Sequence, residues 1–344
     1  MSTAERLNWG ILGTGNIAGK FAAQLPGSKT GRLYAVGSRS ANAAAEFATA
    51  HDMPVAHGSY QDLLDDPDVE AVYISLPNHI HAEWTARCAR AGKHILCEKP
   101  FTLTHAEAMS TIEDVRPCGV FLMEAFMYRC HPVIADMARR IRDGELGRIC
   151  LIEARFSGRG QPDPNKFRWQ NACGGGSILD LGGYCMSMAR LLAGAALGQE
   201  VPAEPVDIKG AGHVGEYEVD EWAAATLRFE DDVLSLLYAS QRFSGGSFVR
   251  VYGDRGQIST GIPWFPGRNG EPAAYTLTLE GEDAREISVS ADIPLYAIEA
   301  DVLAAHREAK QAPYPCMTWS DTLANMAALD AWRAEIGLIY EAER

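Results

Sequence analysis

The feature that most constrains the fold is an apolar segment followed by a glycine-rich turn near the start of the chain. Residues 7–12 are mainly apolar, and Gly13-Thr14-Gly15-Asn16-Ile17-Ala18 follows them as a GxGxxA pattern. In a strand–turn–helix unit, the first glycine permits the tight turn, the second lets a pyrophosphate approach the backbone, and the alanine allows close helix packing. The helix N-terminus offers N–H groups to phosphate. We therefore expect residues 13–17 to bind a dinucleotide cofactor.

The end of the second predicted strand, residues 32–36, indicates which cofactor is used. Enzymes that use NAD usually have Asp or Glu there to bind the ribose 2′-hydroxyl. This chain has Gly37-Ser38-Arg39-Ser40 instead. Arg39 can pair bidentately with a 2′-phosphate, although it could also be a solvent-exposed arginine in a loop. The pattern favours NADP over NAD, with Ser38 and Arg39 in the binding site.

Helices and strands alternate through the first 126 residues, which predicts a doubly wound α/β sheet of six strands. Further helices are predicted at residues 43–50, 60–64, 83–91 and 104–115, and further strands at 54–56, 71–76, 94–97 and 120–126. Ligands bind beyond the carboxyl ends of such strands. Leu76 ends the fourth strand and Asn78 and His81 follow it, so we expect all three to bind the cofactor. His81 has an alternative role, a structural hydrogen bond at a helix start, which its position alone favours.

The stretch His-Ile-Leu-Cys-Glu-Lys-Pro-Phe, residues 94–101, places a lysine at the carboxyl end of the fifth strand. Lys99 can point its amine into the cleft, and Pro100 stops the strand and fixes the backbone beside it. The bond between them can be cis, which is rare and usually purposeful. The alternative is a surface turn with a solvated ion pair. We expect Glu98 and Lys99 to lie at the cofactor site.

The pattern changes near residue 129, where long strands without helical crossovers replace the alternation. The predicted strands are residues 148–156, 206–214, 221–229, 233–242, 249–252, 275–279 and 285–289. Their alternating apolar residues predict a large, mostly antiparallel sheet with one face covered. Helices are predicted at residues 132–142, 178–192, 295–310 and 320–340. We expect a cofactor-binding domain at residues 1–128 and a substrate-binding and oligomerisation domain at residues 129–344.

Two polar residues share a face of the helix predicted at 178–192. Asp180 and Tyr184 are four residues apart near its N-terminus. Gly182 and Gly183 between them are costly in a helix, roughly 1 kcal/mol each, unless another backbone or a ligand must come close. A tyrosine can donate a proton to a carbonyl oxygen when a nearby lysine lowers its pKa. The alternative, which these residues alone favour, is a core tyrosine with a structural hydrogen bond.

Composition excludes several classes of partner. The 344 residues carry a net charge of −14, which disfavours binding to nucleic acid or to an anionic membrane. The first residues lack a basic and apolar export signal, so we expect a cytoplasmic protein. The eight cysteines are scattered without a CxxC pair or a cluster with histidine. They are expected to be buried, reduced thiols, and no metal site is predicted.

With Gly13–Ala18, Glu98-Lys99-Pro100 and Asp180-x-x-x-Tyr184 in this order, the sequence resembles the Gfo/Idh/MocA oxidoreductases over nearly its whole length. The resemblance implies a Rossmann domain, a C-terminal α/β domain, and NAD(P)-dependent oxidation or reduction of sugars, cyclitols and related alcohols. It implies that Lys99 hydrogen-bonds the reacting oxygen. Many members have histidine at the position of Tyr184. With tyrosine there, the chain more closely resembles the branch of glucose–fructose oxidoreductase and dimeric dihydrodiol dehydrogenase.

These observations predict an NADP(H)-dependent oxidoreductase whose catalytic residues are Lys99, Tyr184 and Asp180. A keto-sugar reductase of the anhydrofructose type that uses the same residues in reverse is one alternative, and a cofactor-bound sensor without turnover is another. Residues near loops of the cleft are further candidates: Arg168 and Tyr296 for the cofactor, and Arg129 and Trp169 for the substrate. The exposed sheet face predicts a homodimer or homotetramer.

Overall fold

The computed structural model describes residues 6–261 and 263–344. The expected lack of an export signal depends on the first residues of the chain, and residues 1–5 lie outside the described ranges. Within the described residues, no helix is both long enough and apolar enough to cross a membrane. All eight cysteines are free thiols, as predicted, although Cys150 is exposed.

The first half of the chain forms a parallel sheet in the strand order β3-β2-β1-β4-β5-β6, which confirms the predicted doubly wound fold. The order reverses next to β1, and this switch point is where open α/β sheets bind ligands. Its strands are β1 (Leu7–Leu12), β2 (Gly31–Gly37), β3 (Val55–His57), β4 (Ala71–Ile74), β5 (His94–Glu98) and β6 (Leu122–Ala125). Its helices are α1 (Asn16–Gln24), α2 (Ala41–Ala50), α3 (Tyr60–Asp65), α4 (His81–Arg90) and α5 (His105–Val115).

The second half forms a mostly antiparallel sheet in the order β14-β13-β12-β11-β7-β10-β9-β8. Within this second sheet, β7 and β10 are the only described strands that pair in parallel. The elements are α6 (Pro132–Arg142), β7 (Ile149–Ser157), α7 (Gly183–Ala196), β8 (Asp207–Val214), β9 (Asp220–Arg228), β10 (Leu234–Ser240), β11 (Phe248–Gly253), β12 (Gly256–Thr260), β13 (Ala273–Leu279), β14 (Arg285–Val289), α8 (Leu295–His306) and α9 (Trp319–Glu335). The domain boundary after residue 128 falls between the sheets and stays a prediction.

Two elements differ from the expectation. β12 was not predicted, because Gly-Gln-Ile-Ser-Thr is short and has a single apolar residue; it forms because β11 and β13 both pair with it. The last helix ends at Glu335 and not at residue 340. Gly337, with φ of +69°, follows it in the left-handed conformation that commonly ends helices.

The helix that carries Asp180 begins with a π-helical turn, Ile178–Gly182, before it continues as α7. Gly182 is required there, since a Cβ atom at this position would lie 2.9 Å from the Trp332 ring of α9. Close packing against Trp332 therefore explains why a glycine, which is costly in a helix, occupies position 182. Single π-turns of this kind often occur at functional sites.

A buried ion cluster ties the turn that follows β6 to α7 and α9. Arg129 Nη2 donates to Asp321 Oδ2 at 2.7 Å, and Arg190 Nη1 donates to Asp321 Oδ1 at 2.6 Å. Arg129 also donates to Ser187 Oγ at 2.7 Å and to the Pro315 carbonyl at 2.6 Å. The Arg129 side chain is fully buried and paired, so the prediction that it contacts the substrate is wrong.

We expect Asp321→Asn to lower the free energy of unfolding by about 3–5 kcal/mol, because it leaves two buried guanidinium groups without their counter-charge. Urea unfolding followed by circular dichroism measures this. The control is Asp114→Asn, which breaks the exposed pair with Arg90 and should change stability by less than about 1 kcal/mol. Equal effects of the two variants would contradict the assignment.

Candidate active site

A cleft of about 440 Å³ lies at the carboxyl ends of the parallel strands and reaches the start of α7. It brings together most of the residues singled out from the sequence. The predicted residues that line it are Gly13, Thr14, Gly15, Asn16, Ile17, Ser38, Arg39, Leu76, Asn78, Glu98, Lys99, Arg168, Asp180, Tyr184 and Tyr296. This placement makes the cleft the candidate site, while the role of each residue stays a prediction.

The glycine turn has the shape that a pyrophosphate requires. Gly13 has φ of +99°, and a Cβ atom on Gly15 would meet no atom within 4 Å, so its backbone faces open space. α1 begins at Asn16, and no side chain caps the N–H groups at its start. Those N–H groups are free to bind phosphate oxygens.

Arg39 stands at the other end of this part of the cleft, where β2 ends. Its guanidinium contacts the hydroxyl of Tyr60, and this contact opposes the effect of burial, which raises the tyrosine's pKa. Lys20, one turn into α1, also lines the cleft. The acidic residues of the lining, Glu98 and Asp180, lie beside Lys99 and not beside Arg39. The region around Arg39 is therefore positively charged, which suits a 2′-phosphate.

Lys99 reaches across the cleft from the first sheet to the π-helical turn. Its Nζ donates to Asp180 Oδ1 at 2.8 Å and to the main-chain oxygen of Asp180 at 2.7 Å. An ammonium has three N–H donors, so one remains for a ligand oxygen. The peptide bond between Lys99 and Pro100 is cis, as the sequence allowed.

Asp180 is the centre of a wider polar cluster. Its Oδ2 accepts from Arg168 Nε at 2.8 Å and from Gln241 Nε2 at 3.3 Å. Burial raises the pKa of Asp180, but the charges of Lys99 and Arg168 outweigh that effect and hold it below the usual value. The carboxylate is therefore ionised and is the counter-charge of Lys99.

Tyr184 lies beside Lys99, but not in the arrangement expected. Lys99 Nζ sits 4.9 Å from the centre of the Tyr184 ring, while the hydroxyl is 3.8 Å from Met127 Sδ. Burial, reinforced by the charge of Glu98, raises the pKa of Tyr184 well above its usual value. The expectation that Lys99 lowers this pKa is wrong, because the ammonium faces the ring and not the hydroxyl. Tyr184 keeps its proton and can act as a donor.

Two further predicted contacts with ligands are corrected by the structure. His81 is fully buried, with Nδ1 2.7 Å from the Pro100 oxygen and Nε2 2.8 Å from the Leu76 oxygen. It ties two loops of the cleft together, which is the structural alternative. Trp169 is also buried and lies against Gly160, where an added Cβ atom would be 3.4 Å from its ring. Neither residue lines the cleft.

The sequence analysis missed an aromatic wall, the lining residues Lys20, Tyr60 and Ser75, and the polar residue Gln241. The wall consists of Phe156, Phe167 and Phe265, which line the cleft. Phe156 lies near the end of β7, so it could have been predicted from the tendency of ligands to bind beyond strand ends. The sequences of the loops that carry Phe167 and Phe265 contain no motif that predicts a binding site. Gln241, which follows β10, contacts Asp180 through a pairing of distant segments that no local pattern reveals. No group of three His, Cys, Asp or Glu side chains within the described ranges is arranged to hold a metal, and the absence of a metal stays a prediction.

Family models match both halves of the chain. Residues 7–126 match the GFO_IDH_MocA model, described as an oxidoreductase family with an NAD-binding Rossmann fold. Residues 134–259 match the GFO/IDH/MocA C-terminal domain.

Curated relatives span nearly the whole chain. D-xylose 1-dehydrogenase (NADP(+)) 2 of Haloferax volcanii is 30% identical over 94% of this chain and 95% of its own length. Trans-1,2-dihydrobenzene-1,2-diol dehydrogenase of Mus musculus is 29% identical over 98% of this chain and 99% of its own length.

Solved structures share the architecture. KijD10, a 3-ketoreductase from Actinomadura kijaniata in complex with NADP and TDP-benzene, is 25% identical with a TM-score of 0.82, over 96% of this chain and 98% of its own. The aldose-aldose oxidoreductase of Caulobacter crescentus, 24% identical with a TM-score of 0.84 over 96% and 97% of the two chains, shows the shared fold.

Proposed function

This chain belongs to the GFO/IDH/MocA family of NAD(P)-dependent oxidoreductases, and from that premise we propose that it transfers a hydride between NADP(H) and a sugar, cyclitol or cyclic diol. One observation carries the proposal: the glycine turn at residues 13–15 and the group of Lys99, Asp180 and Tyr184 line the same cleft. The xylose dehydrogenase and dihydrodiol dehydrogenase relatives support this range of substrates.

The residues of the cleft fit an NADP cofactor. The open backbone at Gly15 and the uncapped start of α1 would hold the pyrophosphate. Arg39, with Ser38 beside it, would hold the 2′-phosphate, and no carboxylate of the lining stands there to repel it. The bound nicotinamide would supply or accept the hydride, and the protein's own residues handle the oxygen and its proton.

Lys99 and Tyr184 divide this work. The free N–H of Lys99 donates to the reacting oxygen and stabilises its negative charge, while Asp180 keeps the ammonium charged and oriented. Tyr184 exchanges a proton with the same oxygen. Tyr184 carries its proton in the structure, so it can give that proton to an oxygen that gains negative charge, as in the reduction of a carbonyl. A keto-sugar reductase that uses the same residues is therefore the second candidate function.

A screen of sugars, polyols and cyclic diols with NADP and NAD, together with keto-sugars with NADPH, tests the proposal through the nicotinamide absorbance. We expect turnover with at least one ring-shaped substrate and a preference for the phosphorylated cofactor. Tight cofactor binding without turnover on any member of the panel would instead support the sensor alternative.

Arg39→Ala should weaken NADP binding by about 1.5–3 kcal/mol, because it removes a charge-assisted pair with the 2′-phosphate. NAD binding should stay nearly unchanged. Titration calorimetry with both cofactors measures the difference, with Arg90→Ala, an exposed arginine on α4, as the control. Equal losses for the two cofactors would show that Arg39 serves only the fold.

Lys99→Met and Tyr184→Phe should each lower kcat by about 10²–10⁴-fold, the usual range for acid–base groups. Cofactor affinity should change little, and the double variant should be little worse than the poorer single variant, because the two groups act as a unit. The control is Tyr34→Phe, because Tyr34 is a half-buried tyrosine on β2 that is not part of the cleft lining and whose hydroxyl donates to Asp68. A Tyr184→Phe enzyme with normal kcat and pH profile would end the assignment of Tyr184 as proton donor.

The second sheet supports a proposal of self-association as a homodimer or homotetramer. α7 covers one face of the sheet, while Trp222, Leu234 and Leu236 are exposed on the other. A flat apolar face of this kind is typical of an interface between subunits. The cytoplasmic location and the lack of nucleic-acid and membrane partners stay predictions from the sequence.

Sedimentation at micromolar concentration should therefore find a species larger than 37.4 kDa. Leu236→Glu should dissociate it, since the charge would be buried in the interface. Met109→Glu is a matched control, because Met109 on α5 has the same exposed fraction, 42%, outside this face. A monomeric wild type, or dissociation by both variants alike, would contradict the proposed interface.

A further inference from the structure

The turn Lys99–Phe101, here called the lysine turn, is held by two buried carboxyl groups. The Lys99 N–H donates to Glu98 Oε2 at 3.2 Å, and the Phe101 N–H donates to Glu124 Oε1 at 2.9 Å. Pro100 between them has no N–H. Both main-chain donors of the turn therefore depend on side chains, because no strand continues here to bind them.

Glu124 is placed for this contact by the parallel sheet. It lies in β6 opposite Cys97 of β5 and is 2% exposed. Its second oxygen, Oε2, accepts from Thr322 Oγ1 of α9 at 2.9 Å. One carboxyl group thus links the lysine turn to the last helix of the chain.

Glu124 is not the counter-ion of Lys99, because the ion pair of Lys99 is with Asp180. Burial raises the pKa of Glu124 to about 8, and Asp321 of α9 adds to this effect, while Lys99 opposes it. Burial therefore favours the uncharged acid, in which Oε1 still accepts from the Phe101 N–H and an Oε2 hydroxyl can donate to Thr322 Oγ1. Glu124 acts on the turn through hydrogen bonds, and Asp180 supplies the negative charge.

The helix that Glu124 reaches also fixes the position of Tyr184. Asp321, next to Thr322, binds Arg129, and Arg129 Nη1 donates to Ser187 Oγ of α7 at 2.7 Å. Ser187 lies one turn beyond Tyr184 on that helix. A continuous set of buried contacts therefore runs from the lysine turn through α9 to the helix that carries the tyrosine.

We propose that Glu124 is a positioning residue for Lys99, which fixes the lysine turn through the Phe101 N–H and holds it at a set distance from α7 through Thr322. This inference rests on the proposed function, in which Lys99 contacts the reacting oxygen. It predicts that the oxygen acceptor at position 124 matters and that its charge does not.

The first test compares Glu124→Leu, which removes the acceptor, with Glu124→Gln, which keeps an amide oxygen for Phe101. We expect Glu124→Leu to lower kcat at least tenfold while KM and the NADP dissociation constant change less than threefold, and Glu124→Gln to restore kcat to within threefold of wild type. The matched control is Glu107→Leu, because Glu107 Oε2 accepts from the nearby Leu103 N–H at 2.9 Å without touching the lysine turn. Equal losses in Glu124→Leu and Glu107→Leu would overturn the proposal.

A second measurement needs no turnover. Limited acetylation with acetic anhydride, read at each lysine by mass spectrometry, reports how firmly the Lys99 amine is held. We expect Lys99 to react at least threefold faster in Glu124→Leu than in wild type, Glu124→Gln or Glu107→Leu. Unchanged reactivity in Glu124→Leu would overturn the proposal. A wild type that turns over no substrate, but shows this pattern, would refute the proposed function and keep the positioning role.

Thr322→Val provides the same test if Glu124→Leu does not fold. It removes only the hydroxyl that ties Glu124 to α9, and we expect Lys99 acetylation to rise at least twofold. Thr111→Val is the matched control, since the Thr111 hydroxyl donates to the Glu107 main-chain oxygen within α5. Equal acetylation in both variants and wild type would overturn the link through α9.

Discussion

The contact between Lys99 and Asp180 is the interaction on which the arrangement of the site depends. It joins the end of a strand in the first sheet to a π-helical turn above the second sheet, with both N–H···O distances below 3 Å. Both side chains are largely buried, so neither charge could remain there without the other. Both residues line the cleft, and the two contacts leave one lysine N–H free for a ligand.

The same contact explains why Tyr184 is a neutral acid. Since Asp180 takes the Lys99 ammonium by its carboxylate and its main-chain oxygen, the lysine cannot also approach the tyrosine hydroxyl, and it faces the ring. Burial then raises the tyrosine's pKa without opposition from Lys99. A ligand oxygen placed between the two groups would receive one hydrogen bond from each, which is a suitable environment for a carbonyl that gains negative charge.

The sequence predicted what short-range patterns determine. The glycine turn, the lysine at a strand end and the Asp180–Tyr184 spacing each follow from a local unit whose geometry is general, and the six parallel strands followed from the alternation. Arg129 and His81 could not be assigned in this way. Each is a polar residue near the cleft in sequence, but its partners, Asp321 and the Pro100 oxygen, are chosen by packing between distant segments. Gln241 and Glu124 could not be predicted either, because their partners also lie in distant segments of the chain.

Chemistry and substrate choice depend on different parts of this molecule. Lys99, Asp180 and Tyr184 are fixed by buried contacts from strands and helices, so a substrate can enter without rearranging their charges. The aromatic wall of Phe156, Phe167 and Phe265 belongs to a strand end and to loops of the second domain, where changes cost little stability. Flat aromatic faces pack well against the apolar face of a ring and make few demands on its hydroxyl pattern. If Lys99, Asp180 and Tyr184 carry the reaction as proposed, the residues that shape substrate choice are expected among the aromatic side chains of the cleft, because function depends on the site and not on the shared fold.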